Sequence, residues 1–387
     1  MPAVRESSHF VSAARRPRVR RLVLADYRSY SALDLSVEAS VVALTGENGA
    51  GKTNVLEALS LFAPGRGLRR AEFAECVRAG TGGFSVSAAL AGADGETQLG
   101  TGYDLDSAAG PSRKCRIDRV PVGSPRDFAD HVRIVWMTPA MDGLFAGSAG
   151  ERRRFLDRLV LAVDSGHGAR VNALERALRN RNRLLETGGE PAWLDAAERE
   201  TAELGVAVTA ARLETVSRLA ALVAAERDDA SPFPWADFAL SGEVEALVAE
   251  YAALEAENRY RAWLAANRGR DAAAGRTLIG PQASDLVVRH GPKQIDARAC
   301  STGEQKALLT GLVLAHAKLT TAMSGIAPLV LLDEIAAHFD PARRRALFAE
   351  LARVGGQAWL TGADPAAFAD LPEDAKVLRV EAGRIEG

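Results

Sequence analysis

Cysteine, lysine and long apolar runs are all scarce in this chain, and each scarcity removes a class of function. The three cysteines, Cys76, Cys115 and Cys300, are odd in number and share no C-x-x-C spacing. That excludes a disulfide framework and a cysteine-based structural zinc site, and it makes a reducing cytoplasm the expected compartment. The longest apolar runs, around Leu308 to Leu314 and Ala327 to Leu332, fall short of the ~20 residues a membrane span requires, and neither is flanked like a signal peptide. No membrane association is expected. Net charge is lacking too: 48 Lys plus Arg against 50 Asp plus Glu leaves -2, so attraction to a polyanion must come from local patches. Lysine occupies only six positions, and the basic charge is almost all arginine. A heptad repeat long enough for an extended coiled-coil arm is also missing.

What remains is the balance of a globular protein, with 47% apolar and 25% charged residues in 387, enough for one large core or two to three ordinary ones. Residues 1–18 are basic, lack periodicity and are expected to form a flexible tail. From Arg20, "RRLVLADY", "ALDLSV" and "VVALTG" read as short strands. A helix of about three turns follows Lys52, with apolar residues at Val55, Leu56, Ala58, Leu59 and Phe62. "GFSVSAAL", "TQLGTGYDL", "RKCRID" and "HVRIVWM" suggest antiparallel hairpins. From Glu151 to about Asn267, Ala, Leu, Arg and Glu dominate, which predicts an all-helical insert. Strands and helices alternate again from about Arg276. The expected fold is α/β, a mixed sheet with a phosphate loop, divided into head residues 19–140, a helical lobe over 141–272 and head residues 273–387.

"GENGAGKT", Gly46 to Thr53, satisfies G-x-x-x-x-G-K-[ST] between a buried strand and a helix. Gly46, Glu47, Asn48, Gly49, Ala50 and Gly51 would curl backbone N–H groups around phosphates, with Asn54 next in the helix. Lys52 would reach the β and γ oxygens of ATP, and Thr53 would ligate Mg²⁺. "PLVLLDE" reads as a central strand delivering two acids to its C-terminal end. Asp333 suits a Mg²⁺-linked position, and Glu334 could polarise the attacking water. A third stretch, "CSTGEQK" at Cys300 to Lys306, opens a long apolar helix. Read by itself it is a complete capping box, Ser301 or Thr302 capping and Glu304 or Gln305 closing. It is equally a helix end able to hold a phosphate.

"STGEQK" ahead of an acid-terminated strand resembles the signature of ABC-type ATPases. That resemblance implies that Ser301 and Gly303 contact ATP held by a second copy, making the protein an ATP-dependent homodimer. Further blocks narrow it: "RLVLADYRSY", "GENGAGKTNVLEALSLFAPGRGLRRA", "GSAGERRRFLDRLV", "RNRLL", "TLIGPQASDL" and "VLLDEIAAHFDPARR" resemble, in order, the RecF family of bacterial recombination-repair ATPases. The resemblance implies an ABC-type head interrupted by a helical lobe and slow ATP hydrolysis as a release timer. It also implies DNA binding at gaps or single-strand/double-strand junctions, and help in loading RecA with RecR and RecO. An ATPase subunit of a transporter is the alternative, although its signature would come much sooner after the phosphate loop. This chain departs from the family pattern at Gln282, where histidine is usual, at Asp142 in "TPAMDG" and at Glu304. With no switch histidine in "QAWLTGADP", Thr361 or Asp364 could supply a γ-phosphate sensor, a strand-to-turn cap being the other reading of each.

Arginine clusters are the candidate DNA contacts: Arg66, Arg69 and Arg70; Arg152 to Arg154; and Arg176, Arg179, Arg181 and Arg183. Solvated helix faces would give the same pattern, and Phe155 and Leu156 beside the second cluster suggest packing. Arg28, in "DYRSY", is a candidate to approach the nucleotide from the sheet edge.

Overall fold

The computed structural model describes residues 14–92, 95–107, 110–335 and 339–386. Most of the expected N-terminal tail, residues 1–13, lies outside them. The chain starts with a hairpin, β1 (Arg18–Tyr27) and β2 (Tyr30–Ser36), then β3 (Val41–Thr45) and helix α1 (Lys52–Ser60). A short helix α2 (Phe73–Cys76) leads to β4 (Gly83–Gly92), β5 (Gly95–Asp104), β6 (Ser112–Ile117), β7 (Val120–Val122) and β8 (Ile134–Met137). Three helices follow, α3 (Ala149–Val163), α4 (His167–Glu186) and the 35-residue α5 (Pro191–Ala225), then β9 (Ala236–Ser241). Helices α6 (Glu243–Glu250), α7 (Ala253–Ala266) and α8 (Arg268–Ala274) precede β10 (Asp285–His290) and β11 (Ile295–Asp296). The chain closes with α9 (Thr302–Ser324), β12 (Leu329–Leu332), α10 (Pro341–Val354), β13 (Ala358–Gly362), β14 (Lys376–Glu381) and β15 (Arg384–Glu386).

Among the described residues these strands form three sheets. One is six-stranded and antiparallel, in the order β2-β1-β4-β5-β6-β7; the second, β15-β14-β3-β13-β12-β8, is parallel from β14 to β8. Its central strands are apolar on both faces, as parallel strands covered on both sides must be. Val42, Leu44, Leu329, Leu331, Ile134 and Trp136 point into a core shared with α1 and the antiparallel sheet. The alternate residues Ala43, Val330, Leu332, Val135 and Met137 face a second core with α3, α9 and α10. Helix α1 is thus sandwiched between two sheets, which fixes the loop that precedes it.

The region expected to be all-helical contains one strand. β9 pairs antiparallel with β10, from Asp285↔Ser241 to His290↔Ala236, and with β11 makes the third sheet. Its alternation, Ala236 and Phe238 buried with Asp237 and Ala239 exposed, has the period of a strand. The insert is not a body apart: Phe155, Leu156 and Leu159 of α3 and Val216 and Leu219 of α5 belong to the same core as α9. By length and composition α9 alone, among the described residues, could cross a membrane, but Leu308, Leu309, Leu312 and Val313 are buried in that core.

Candidate functional site

The phosphate loop leaves the buried strand β3 at Gly46, whose φ is 141° and where a Cβ would collide with the Val380 carbonyl of β14. Glycine is required there for both reasons. Glu47, Asn48 and Gly49 form the exposed tip. Gly51 (φ 115°) precedes α1, which has no side-chain cap and no acidic residue in its first turn. Unpaired N–H donors and the positive end of the helix dipole therefore meet at one point, a site built for an anion. Lys52 lies across the loop, donating Nζ to the carbonyls of Gly46 at 2.6 Å and Glu47 at 2.8 Å. The loop is braced from behind by the Tyr30 hydroxyl, which donates to the Gly51 carbonyl at 3.1 Å, and by Asn54, which donates to Ser29 Oγ at 2.9 Å. Burial raises the Tyr30 pKa, so the phenol stays neutral and remains a donor.

Strand β12 brings Asp333 and Glu334 to the same edge of the sheet. The Thr53 hydroxyl donates to Asp333 Oδ1 at 2.8 Å. Two hard oxygens side by side suit Mg²⁺, which keeps waters and takes further oxygens from phosphates. Glu334 has φ 50°, and its N–H donates to Thr361 Oγ1 at 2.8 Å. Thr361 is fully buried and also donates to Asp333 Oδ1 at 2.7 Å. Its hydroxyl is committed to the two acids and does not face outward as a phosphate sensor would. Asp364 likewise has a local task, accepting from the Ala366 N–H to cap a turn.

Ser301, Thr302 and Gly303 are exposed, and a Cβ on Gly303 would meet nothing within 4 Å. The capping box is formed: Ser301 accepts from the Glu304 N–H at 3.4 Å, and Glu304 accepts from the Ser301 N–H at 3.0 Å. An ion pair with Lys293, then the Ser301 N–H, lowers the Glu304 pKa to about 2. Lys293 thereby offsets the one negative charge at this helix end. Two residues further in, Lys306 donates to Asp142 at 3.1 Å, linking the signature helix to the loop after β8. Neither lysine partner was legible from spacing, because each lies on a separate element.

Arg28 is placed differently from expectation. It donates to both oxygens of Glu57 at 2.9 and 2.7 Å and to the Glu75 carbonyl at 2.8 Å. Glu57 is fully buried in α1 and needs a counter-charge, which Arg28 and Arg69 supply. Gln282 braces its own loop, donating to the carbonyls of Ile279 at 3.1 Å and Thr277 at 3.3 Å. The arginine clusters split by burial. Arg152 is buried against Asp285, Arg153 donates to the Ser284 carbonyl, and Arg181 has no exposed surface, holding Glu198 and Asp271. Arg66 pairs with Glu72. Exposed guanidinium groups remain at Arg70, Arg154, Arg176, Arg179 and Arg183.

A phosphate loop under a parallel sheet, two acids at the sheet's C-terminal edge and an exposed serine-led helix define the head fold of an ABC-type ATPase. Structures of the recombination mediator protein RecF in the RecFOR pathway have this fold, with TM-scores of 0.83 and 0.80 at 20% and 19% identity, over 97% and 96% of this chain and 99% of each of theirs. An SMC head bound to the winged-helix domain of ScpA is more distant, at a TM-score of 0.54 and 14% identity over 95% of this chain and 96% of its own. No family model matches the chain. In sequence it is 51% identical over 369 residues to the DNA replication and repair protein RecF of Mesorhizobium japonicum, and 52% identical over 369 residues to that of Rhizobium meliloti. These alignments cover 95% of this chain and 97% and 98% of the two relatives. The chain belongs to the RecF family of DNA replication and repair proteins, which sets aside a transporter ATPase subunit.

Proposed function

We propose that this protein binds ATP with Mg²⁺, pairs with a second copy of itself around the nucleotide, and in that state holds DNA at gaps or single-strand/double-strand junctions during recombinational repair in the cytoplasm. The observation that carries the reading is the assembly of Lys52, Thr53, Asp333 and Glu334 at one sheet edge, while Ser301 and Gly303 stand exposed at the end of α9. The backbone N–H groups from Gly49 to Thr53 and the Lys52 ammonium bind the phosphates. Thr53 and Asp333 would hold Mg²⁺, which supplies charge neutralisation at the β and γ oxygens. Glu334 orients a water for attack on the γ-phosphorus and accepts its proton as ADP leaves. Ser301 and the α9 N-terminus of the partner copy complete the cage, so hydrolysis releases the dimer and turnover acts as a timer. The similar structures are of RecF–ATPrS and RecF–ATP, which supports the ligand. RecR, RecO and RecA are the partners expected from the family, and Arg154, Arg176, Arg179 and Arg183 are the candidate phosphate contacts on the helical lobe. The division into head segments 19–140 and 273–387 with a lobe over 141–272 is part of this reading.

Sedimentation with ATP or ADP, each with and without gapped duplex DNA at two salt concentrations, tests it. ATP-specific dimers that bind DNA and lose it with added salt are expected. A monomer with ATP at all protein concentrations, or dimers indifferent to DNA, would overturn it.

A further inference from the structure

Thr361 is the next-to-last residue of the buried strand β13 and has no exposed surface, yet its hydroxyl is used twice at the candidate site. It donates to Asp333 Oδ1 at 2.7 Å and accepts from the Glu334 N–H at 2.8 Å. One oxygen thus fixes the side chain of one acid and the backbone of the next. Both need fixing. Glu334 sits at φ 50°, a left-handed conformation that side chains other than glycine adopt at a cost, so its backbone persists there only if its surroundings hold it. Asp333 Oδ1 also accepts the Thr53 hydroxyl at 2.8 Å. Thr53 can turn a lone pair to a metal ion and still donate its proton to Asp333 only while that oxygen stays in place. The branched Cβ of threonine restricts χ1, which keeps the Thr361 hydroxyl aimed at both partners.

We infer that Thr361 is the positioning residue for both acids: it sets Asp333 for Thr53 and the metal, and holds the Glu334 backbone in the turn that directs its carboxylate. The inference rests on the Mg²⁺–ATP reading above. Its test uses the full chain with Thr361→Val, which keeps the shape and removes both hydrogen bonds, and Thr361→Ser, which keeps the hydroxyl. A fluorescent ATP analogue reports affinity in EDTA and through a Mg²⁺ titration, alongside turnover and the thermal midpoint.

Thr361→Val is expected to bind the analogue in EDTA as the natural protein does, but to need about tenfold more Mg²⁺ to reach half of the metal-dependent gain. Its kcat should fall by about tenfold or more while KM changes little, and Thr361→Ser should recover most of both. A Mg²⁺ midpoint and kcat for Thr361→Val equal to those of the natural protein would overturn the inference, as would Thr361→Ser being equally impaired at an unchanged thermal midpoint. Should Thr361→Val not fold, Thr361→Ala takes its place with the same expectation, an Mg²⁺ midpoint about tenfold higher, and an unchanged midpoint defeats the idea. If the natural protein itself gains no affinity from Mg²⁺, the Mg²⁺–ATP reading has failed, a result visible without any variant.

Discussion

Thr53 and Asp333 stand 280 positions apart in the chain, yet the hydroxyl of one donates to Oδ1 of the other at 2.8 Å. The pair joins the start of α1 to the end of β12 and leaves an oxygen from each at the mouth of the phosphate loop. Thr53→Val keeps the shape and removes both the donor and the metal lone pair. Calorimetry should show ATP affinity in EDTA retained and the Mg²⁺-dependent gain reduced by about tenfold or more. An undiminished gain would remove Thr53 from the metal site.

Glu334→Gln keeps the Glu334 N–H that donates to Thr361, so the turn should survive. Loss of the base should lower hydrolysis by about a hundredfold or more while ATP stays bound. The dimer should then persist through sedimentation long after that of the natural protein has dissociated.

Ser301→Arg places a long cation at an exposed helix end and breaks the box with Glu304. The lost cap should cost about 1 kcal/mol in urea unfolding. ATP binding by the monomer should be unchanged and the ATP-dependent dimer lost; a dimer that still forms would sink the shared-site arrangement.

His316 is fully buried in α9 with Nε2 donating to the Leu159 carbonyl, and burial, with Arg158 nearby adding to it, pushes its pKa down to about 4. Its folded pKa lies below the ordinary 6.5, so between pH 6.5 and 4 the unfolded chain takes up a proton that the folded chain refuses. Stability should fall as pH drops through that window. His316→Leu should reduce this slope, the stability difference from the natural protein shifting by as much as about 3 kcal/mol across it in urea titrations. A difference constant with pH would show that His316 is not excluded from protonation.

Arg181 donates to Glu198, to Asp271 at 2.8 Å and to the Leu264 carbonyl, tying α4 to α5, α7 and α8 with no exposed surface of its own. Arg181→Ala leaves Asp271, 1% exposed, without its cation. Unfolding free energy should fall by about 3–5 kcal/mol. Arg179→Ala, two residues away on the exposed face, should change stability little and serves as the control.

The local parts of the site could be read directly. A strand, a glycine loop and a helix follow one another from Val41 to Ser60, and the acids follow their strand without a break, so the motif and its geometry share one stretch of chain. Burial of charge could not be read. Glu57 and Arg181 are charged residues of helices α1 and α4, and nothing in their spacing reveals that they turn inward. Strand β9 was hidden by helix-forming neighbours and because its partner β10 lies beyond the helical region. The role of Thr361 needed the register of β13 beside β12, a tertiary fact.

The strand that carries the phosphate loop lies between β14 and β13 in its sheet, and both are made from residues after 357. During synthesis the strand that leads into "GENGAGKT" therefore has no sheet partner until most of the polypeptide has left the ribosome. The Val380 carbonyl that closes on Gly46 emerges later still. Nascent chains stalled short of that point should be unable to grip a nucleotide.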